Sequence, residues 1–325
     1  MNRFNEDFLA AENGYADTMR DVILPFLDSR RQKAAVRGKD GAELYAVRYD
    51  ADEPIGTVLL VHGFTENEFK FAEVTYSLLK NGFSVAAYDQ RGHGRSWRDP
   101  AIHDLSLTHV DRFSSYVEDM EQVMAHVVSS MPRPHMVFCH SMGGAVTACY
   151  MEKHPADLHK AAMCSPMIAP DRGGVPFLAS RLICRVGKLT GNGKKRMFIS
   201  KPYSGPEDYA ASCATSRARF DWYDAVKAKE PLFQNNGPSY SWTFASLGVS
   251  ERILFPGRAE KIQTSVRLYS ASLDNTVLPS AQRMFSRRLK HGAMITVQGA
   301  KHEIYRSEDK VLYPWWHDVL TFLKT

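Results

Sequence analysis

Residues Cys139-His140-Ser141-Met142-Gly143-Gly144 constrain this chain more than any other stretch. They follow a short apolar run, Met136-Val137-Phe138, and precede a helical run that begins at Ala145. A serine set between small residues where a strand turns into a helix is the mark of a nucleophile elbow. The sharp turn strains the serine backbone and lifts its hydroxyl clear of the sheet. Strand and helix approach closely there, so the neighbours must be small, and Gly143 and Gly144 meet that need. Cys139 stands where the usual pattern has glycine. Cysteine is small enough to weaken the match without breaking it.

A serine nucleophile needs a base to take its proton and an acid to orient that base. On this kind of elbow the chain order is Ser, then Asp or Glu, then His. Arg267-Leu268-Tyr269-Ser270 reads as a strand and runs into a loop carrying Asp274. Met294-Ile295-Thr296-Val297 reads as the next strand and runs into Gly299-Ala300-Lys301-His302-Glu303. Asp274 and His302 therefore sit past the carboxyl ends of strands, where open parallel sheets bind ligands. Two backbone N–H groups should form the oxyanion hole. One is Met142, directly after the serine. The other is Phe64, on the loop that follows the strand Thr57–Val61, with Gly63 allowing close approach. His62 beside it reads as structural.

Strands alternate with helices along the chain: Thr57–Val61, Ser84–Tyr88, Met136–Phe138, Lys160–Cys164, Val266–Ser270 and Met294–Val297. Between the second and third, Phe113, Tyr116, Val117, Met120, Met124 and Val127 repeat at helical spacing. This alternation predicts an α/β fold, a mostly parallel sheet covered on both faces. Ala34 to Tyr49 reads as a hairpin turning at Lys39-Asp40-Gly41. Residues Met1 to about Ala35 read as a polar, partly amphipathic helical arm, and Val311 to Leu323 as a closing helix.

These motifs together resemble an α/β-hydrolase of the monoglyceride lipase and lysophospholipase group, and most closely the bacterial lysophospholipase L2 family. The residues that carry the resemblance are His62-Gly63-Phe64, Asp89-Gln90-Arg91-Gly92-His93-Gly94-Arg95-Ser96, His140-Ser141-Met142-Gly143-Gly144 and Gly299-Ala300-Lys301-His302-Glu303-Ile304. Two less generic stretches add to it, Thr108-His109-Val110-Asp111-Arg112-Phe113-Ser114-Ser115-Tyr116-Val117 and Gly237-Pro238-Ser239-Tyr240-Ser241-Trp242. The family accepts a small non-glycine residue at the Cys139 position and either Glu or Asp as the acid. The resemblance implies an α/β-hydrolase fold with an inserted, mainly helical cap, and an ester hydrolase acting on a monoacyl lipid, a lysophospholipid or a monoacylglycerol. It makes Arg91-Gly92-His93-Gly94-Arg95 a structural turn rather than a phosphate loop.

The alternation breaks between about Met167 and Ile262. The expected organisation is thus a helical arm over residues 1–35, a core over 36–166 and 263–325, and a cap over 167–262. The cap is rich in aromatic residues, among them Phe198, Phe220, Trp222, Tyr223, Phe233, Tyr240 and Trp242. Most of them suit the cap's own small core, a few the acyl-chain pocket. From Asp171 to Lys201 the only acid is Asp171, against Arg172, Arg181, Arg185, Lys188, Lys194, Lys195, Arg196 and Lys201. Leu178, Leu182, Val186 and Leu189 share one helical face there. Such a basic amphipathic helix suits peripheral contact with an anionic membrane, and an ordinary solvated face fits the same pattern.

At 325 residues the length suggests about two domains, although α/β folds of this size often form one. Such a chain buries roughly 75% of its unfolded surface, so no disulfide or metal is needed to hold it. Five cysteines show no metal-ligand spacing, and His302-Glu303 lacks the second histidine of H-E-x-x-H because Arg306 stands there. We therefore expect no cofactor, no metal and reduced thiols in the cytoplasm. Glu6 and Asp7 argue against a signal peptide, and no apolar run approaches the ~18 residues of a membrane span. A net charge of only +5 and the lack of a nucleic-acid motif argue against nucleic-acid binding. The same triad also serves a general carboxylesterase, a thioesterase or a lysophospholipid transacylase. A catalytically inactive binding module would ordinarily have lost Ser141, Asp274 or His302, and all are present.

Overall fold

Every residue of the strands Gly56–Val61 (β3) and Phe83–Tyr88 (β4) is buried, as strands covered on both faces must be. A computed structural model describes residues 3–325. Its main sheet adds Gln32–Arg37 (β1), Glu43–Tyr49 (β2), His135–His140 (β5), Lys160–Cys164 (β6), Ser265–Ala271 (β7) and Gly292–Val297 (β8). The spatial order is β1-β2-β4-β3-β5-β6-β7-β8. The β1–β2 hairpin and the β2–β4 pair are antiparallel, and all other pairs are parallel. The hairpin turns where the sequence places it, with Gly41 at φ 84°.

Side-chain alternation divides the strands between two cores. Leu59, Val61, Val137 and Cys139 face one, with the helices Ser114–His126, Met142–Lys153 and Pro279–Arg288. Val58, Leu60, Met136 and Phe138 face the other, with the helices Ala72–Lys80 and Asp309–Lys324. The helical face Phe113, Tyr116, Val117, Met120, Met124 and Val127 is wholly buried in the first core. In the second, Trp316 is fully buried and its indole N–H donates to Ser77 Oγ at 2.7 Å.

The amino-terminal arm differs from expectation. Met1 and Asn2 lie outside the described residues, and the helical part starts only at Tyr15, where Gly14 has φ 77°. It runs through Tyr15–Thr18, Met19–Ile23 and Leu24–Arg30. Residues Gln32 to Ala35, expected in the arm, pair instead with β2. Leu9, Tyr15, Met19, Ile23 and Leu27 are buried in the second core, so the arm is part of the packing.

Between β6 and β7 lie the helices Phe177–Gly187, Arg217–Lys229 and Tyr240–Leu254. The last is seated on the sheet side, because Trp242, Val249 and Ile253 join the first core. The first is held less deeply, through a small cluster of Cys184, Met197 and Leu247 with Phe177, Tyr240 and Phe244 around it. Two stretches distant in sequence meet here: Leu107–Thr108 pairs with Gly237–Pro238, and Ser239 N–H donates to the Thr108 carbonyl at 3.0 Å.

Arg219 joins four parts of the chain. Its guanidinium, only 1% exposed, bonds Glu73 at 3.0 Å, Asp309 at 2.8 Å and the carbonyls of Ala10 and Ser307. Removing one partner from such a buried group leaves charge unpaired, which costs about 3–5 kcal/mol. Arg219→Ala should therefore lower the urea unfolding free energy by about that amount. Arg217→Ala, two residues from Arg219, removes an exposed pair with Asp221 and should leave the midpoint nearly unchanged. Equal midpoints for the two variants would show that Arg219 is not the tie we describe.

Candidate active site

Three loops at the carboxyl edge of the parallel strands bring the expected residues together. Ser141 follows β5 with φ 50° and ψ −117°, a conformation L-residues rarely adopt. Its N–H donates to the Cys164 carbonyl at 3.1 Å, and its carbonyl accepts from Met167 N–H at 2.8 Å. The helix Met142–Lys153 begins at once. It can do so because a β-carbon on Gly143 would stand 2.2 Å from the Val61 carbonyl oxygen, and one on Gly144 2.4 Å from Pro166 Cβ. Cys139 lies one step back in the strand, fully buried, where no such approach occurs.

The hydroxyl of Ser141 lies 2.8 Å from His302 Nε2, and His302 Nδ1 lies 2.8 Å from Asp274 Oδ2. Because Asp274 accepts at Nδ1, the ring carries its proton there and presents an Nε2 lone pair to the serine. The other Asp274 oxygen accepts from the Thr276 and Val277 N–H groups at 2.8 and 3.1 Å. Burial pushes the Asp274 carboxyl up, but the His302 contact and these backbone donors outweigh it and hold it below the usual range. Asp274 thus stays ionised and fixes both the tautomer and the orientation of His302.

Phe64 and Met142 flank the serine from the β3 loop and from the first turn of the helix. Among the described residues, neither N–H takes part in the backbone hydrogen bonds of these turns. The Phe64 ring packs on Trp242, 4.2 Å between centroids. Other aromatic side chains of the 167–262 segment pack among themselves or on the core, as Phe220 does on Tyr209 and Phe233 on Phe69.

Two further residues named by the sequence are structural. His62 lies 2.8 Å from the Gly63 carbonyl through Nδ1 and accepts from Gln90 N–H at 2.8 Å through Nε2, so it is neutral, with burial lowering its pKa. In the Arg91–Arg95 turn, Asp89 accepts the N–H groups of Glu68 and Arg95, while Arg91 pairs with buried Asp119. Glu303 pairs with Lys70 and Arg306 at 2.6 Å each. Burial opposes its charge, yet these cations hold its pKa down at about 2.

Sequence reasoning quoted His140 only as part of the elbow and did not single out Glu66 at all. The structure brings them into contact beside the triad, Nδ1 to Oε2 at 2.8 Å. They stand 74 positions apart, and no period or motif joins them.

A family model described as Hydrolase_4, serine aminopeptidase S33, matches residues 52–309. The chain is 27% identical to lysophospholipase L2 of Escherichia coli strain K12, across 98% of this chain and 94% of that protein. It is 28% identical to the monoacylglycerol lipase of Mycolicibacterium smegmatis over 47% of this chain and 53% of the other. Among solved structures, a thermostable carboxyl esterase from Bacillus coagulans superposes with a TM-score of 0.71 at 18% identity, covering 90% of this chain and 98% of the esterase. A soluble variant of monoglyceride lipase from Saccharomyces cerevisiae gives 0.68 at 20% identity, covering 90% and 95%. With a matching model over most of its length and the fold of these hydrolases, the chain belongs to the serine aminopeptidase S33 (Hydrolase_4) family of α/β-hydrolases.

Proposed function

We propose that the protein hydrolyses the acyl ester of a monoacyl lipid, a lysophospholipid foremost and a monoacylglycerol second, through an acyl-enzyme on Ser141. One observation carries the reading: the unbroken Ser141–His302–Asp274 relay, 2.8 Å at each step, in a chain alignable with a lysophospholipase along nearly its whole length. His302 takes the Ser141 proton as Oγ attacks the ester carbonyl. The Phe64 and Met142 N–H groups receive the developing oxyanion. His302 then protonates the leaving alcohol, and in the second half it activates water that frees the fatty acid. Residues 167–262 serve as the cap over this site, with Trp242 against Phe64 forming a wall for the acyl chain. The five free thiols fit a cytoplasmic setting.

Ser141→Ala should abolish fatty acid release, by about 10⁴-fold or more, without moving the unfolding midpoint. The assay is release from lysophosphatidylethanolamine, monoacylglycerol and short and long p-nitrophenyl esters. Turnover confined to the short esters would mean a general carboxylesterase. Acyl transfer to a second lysophospholipid in preference to water would mean a transacylase. Residual activity close to wild type in Ser141→Ala would sink the triad assignment.

The partner surface belongs to the same reading. The apolar face of Phe177–Gly187 points outward, Leu178 being 79% exposed and Leu182 62%, and Leu189 just after it is 76% exposed. Glu251, Asp99 and Asp104 pair Arg181, Lys194 and Arg196. Arg172, Arg185, Lys188, Lys195 and Lys201 have no acid partner among the described residues. A contiguous apolar patch rimmed by cations matches an anionic lipid surface, and we assign it as the docking face. Each large side chain buried in lipid is worth about 1.5–3 kcal/mol, each cation near the surface about 1 kcal/mol. Apolar insertion therefore dominates, and charge sets lipid preference. No helix is long and apolar enough to cross a membrane among the described residues. Wild type should float with phosphatidylglycerol vesicles more than with phosphatidylcholine vesicles, the difference shrinking in high salt. Leu178→Glu with Leu182→Glu should remain in the pellet while keeping turnover of a soluble short ester. Equal flotation of the double variant would rule out this face.

A further inference from the structure

The buried groups behind the triad form a closed hydrogen-bond arrangement that acyl transfer on Ser141 does not itself require. His140, the residue before the nucleophile, is 2% exposed. Its Nδ1 lies 2.8 Å from Glu66 Oε2, and its Nε2 lies 3.2 Å from the backbone carbonyl oxygen of His302. Glu66 is filled on both oxygens. Oε2 also accepts from Gly63 N–H at 2.5 Å, while Oε1 accepts from the Tyr305 hydroxyl at 2.6 Å and from Lys70 at 3.2 Å. A carboxyl taking four donors has no place for a proton, so Glu66 is a carboxylate. A carbonyl also only accepts. Both His140 ring nitrogens therefore face acceptors and must both carry hydrogen.

We propose that His140 is a positioning residue held as an imidazolium, which, through Glu66, locks the main chain of His302 and the oxyanion loop at Gly63 into one rigid unit. The inference rests on Ser141, Asp274 and His302 being the acyl-transfer site. One end of the unit sets where the His302 ring hangs; the other sets the loop that presents the Phe64 N–H. Gly63 is shaped to it: a β-carbon there would lie 2.7 Å from Glu66 Oε2, 2.9 Å from His140 Nδ1 and 3.0 Å from Ser141 Cβ. The His140 and His302 rings are 4.8 Å apart, so a shift in one reaches the other directly.

The charged and titratable groups facing His140 come from three directions. Glu66 and Lys70 reach it from the β3 loop, with His62 near them, and His302, Glu303 and Tyr305 from the loop after β8. Cys164 neighbours it across the β5–β6 pairing. Burial would lower the His140 pKa, but Glu66, and Glu303 behind it, raise it above 6.5. The raised value means that the contact is complete at low pH and is lost as pH climbs through the folded-state pKa. The proton that leaves is the one on Nε2, since Nδ1–H stays with the carboxylate. A lone pair then faces the His302 carbonyl, and the tether opens.

The test is a ¹⁵N-histidine NMR titration of the full-length protein, paired with kinetics of His140→Gln and Glu66→Gln. The His140 signals, identified by their loss in His140→Gln, should show two protonated nitrogens at pH 6.5 and titrate above it. Wild-type kcat should carry an alkaline limb at the same midpoint. Glu66→Gln should move that limb to lower pH, and His140→Gln should remove it. His140→Gln should also lower kcat by about 10–100-fold with KM little changed, as expected for misplaced rather than missing groups. A neutral His140 tautomer at pH 6.5, or an alkaline limb that survives in His140→Gln, overturns the proposal. If His140→Gln does not fold, the wild-type titration and Glu66→Gln decide it. Ser141-independent turnover would instead overturn the triad reading and leave the NMR result standing.

Discussion

The working end of the molecule depends on one close approach, that of the helix Met142–Lys153 to the end of β3. A β-carbon on Gly143 would lie 2.2 Å from the Val61 carbonyl oxygen and 2.7 Å from that of His62. Only a residue without a side chain lets the helix start where the strand stops. Ser141 is bent to φ 50° as a result, a strain of about 1–3 kcal/mol. The hydrogen bonds to Cys164 and from Met167 and the buried helix offset it. Three of the four non-glycine residues with positive φ among the described residues, Thr65, Ser141 and Ser165, lie at this edge. Strain is thus concentrated where the loops meet, and the packed sheet behind them holds it in place.

The segment between β6 and β7 is built on the opposite terms. Its helix Tyr240–Leu254 is rooted in the main core through Trp242, Val249 and Ile253, whereas Phe177–Gly187 rests on a small cluster around Cys184, Met197 and Leu247. Gly187 allows that contact, since a β-carbon would lie 2.4 Å from the Tyr240 ring. The helix turns its small residues inward and its leucines outward. A solvated face would not be built of leucine and valine, because each exposed side chain forfeits burial worth about 1.5–3 kcal/mol. The inside-out orientation leaves this apolar face without a neighbour among the described residues.

How much of this was readable in the sequence follows from the range of each interaction. Period and local chemistry are short-range, and they marked the β-strands, the Phe113–Val127 face, the hairpin at Gly41 and the elbow. They also brought Asp274 and His302 to the correct edge, because both follow strands of one parallel sheet. Periodicity tells which residues share a face but not which way the face points, so Leu178 and Leu182 could be grouped but not turned outward. The arm was expected to be helical from its start, whereas Gly14 at φ 77° delays the helix to Tyr15. Glu66 and His140 lay beyond local reasoning. Their pairing depends on two adjacent strands, β3 and β5, ending side by side, a fact of topology rather than of pattern.

The same topology explains why the site's electrostatics extends past the triad. From Asp274 the groups alternate through His302 to His140, Glu66, Lys70, Glu303 and Arg306, each in contact with the next. The carboxylates in the row have more than one partner each, Glu66 four donors and Glu303 two cations, so their burial is offset from several sides. The far end is not sealed: Lys70, Glu303 and Arg306 line a polar cleft of about 410 Å³ with Thr65, Tyr203 and Cys213. Thr65 directly follows Phe64 on the β3 loop. The groups behind the triad are thus one continuous polar row, buried at its His302 end and bordering the cleft at its Arg306 end.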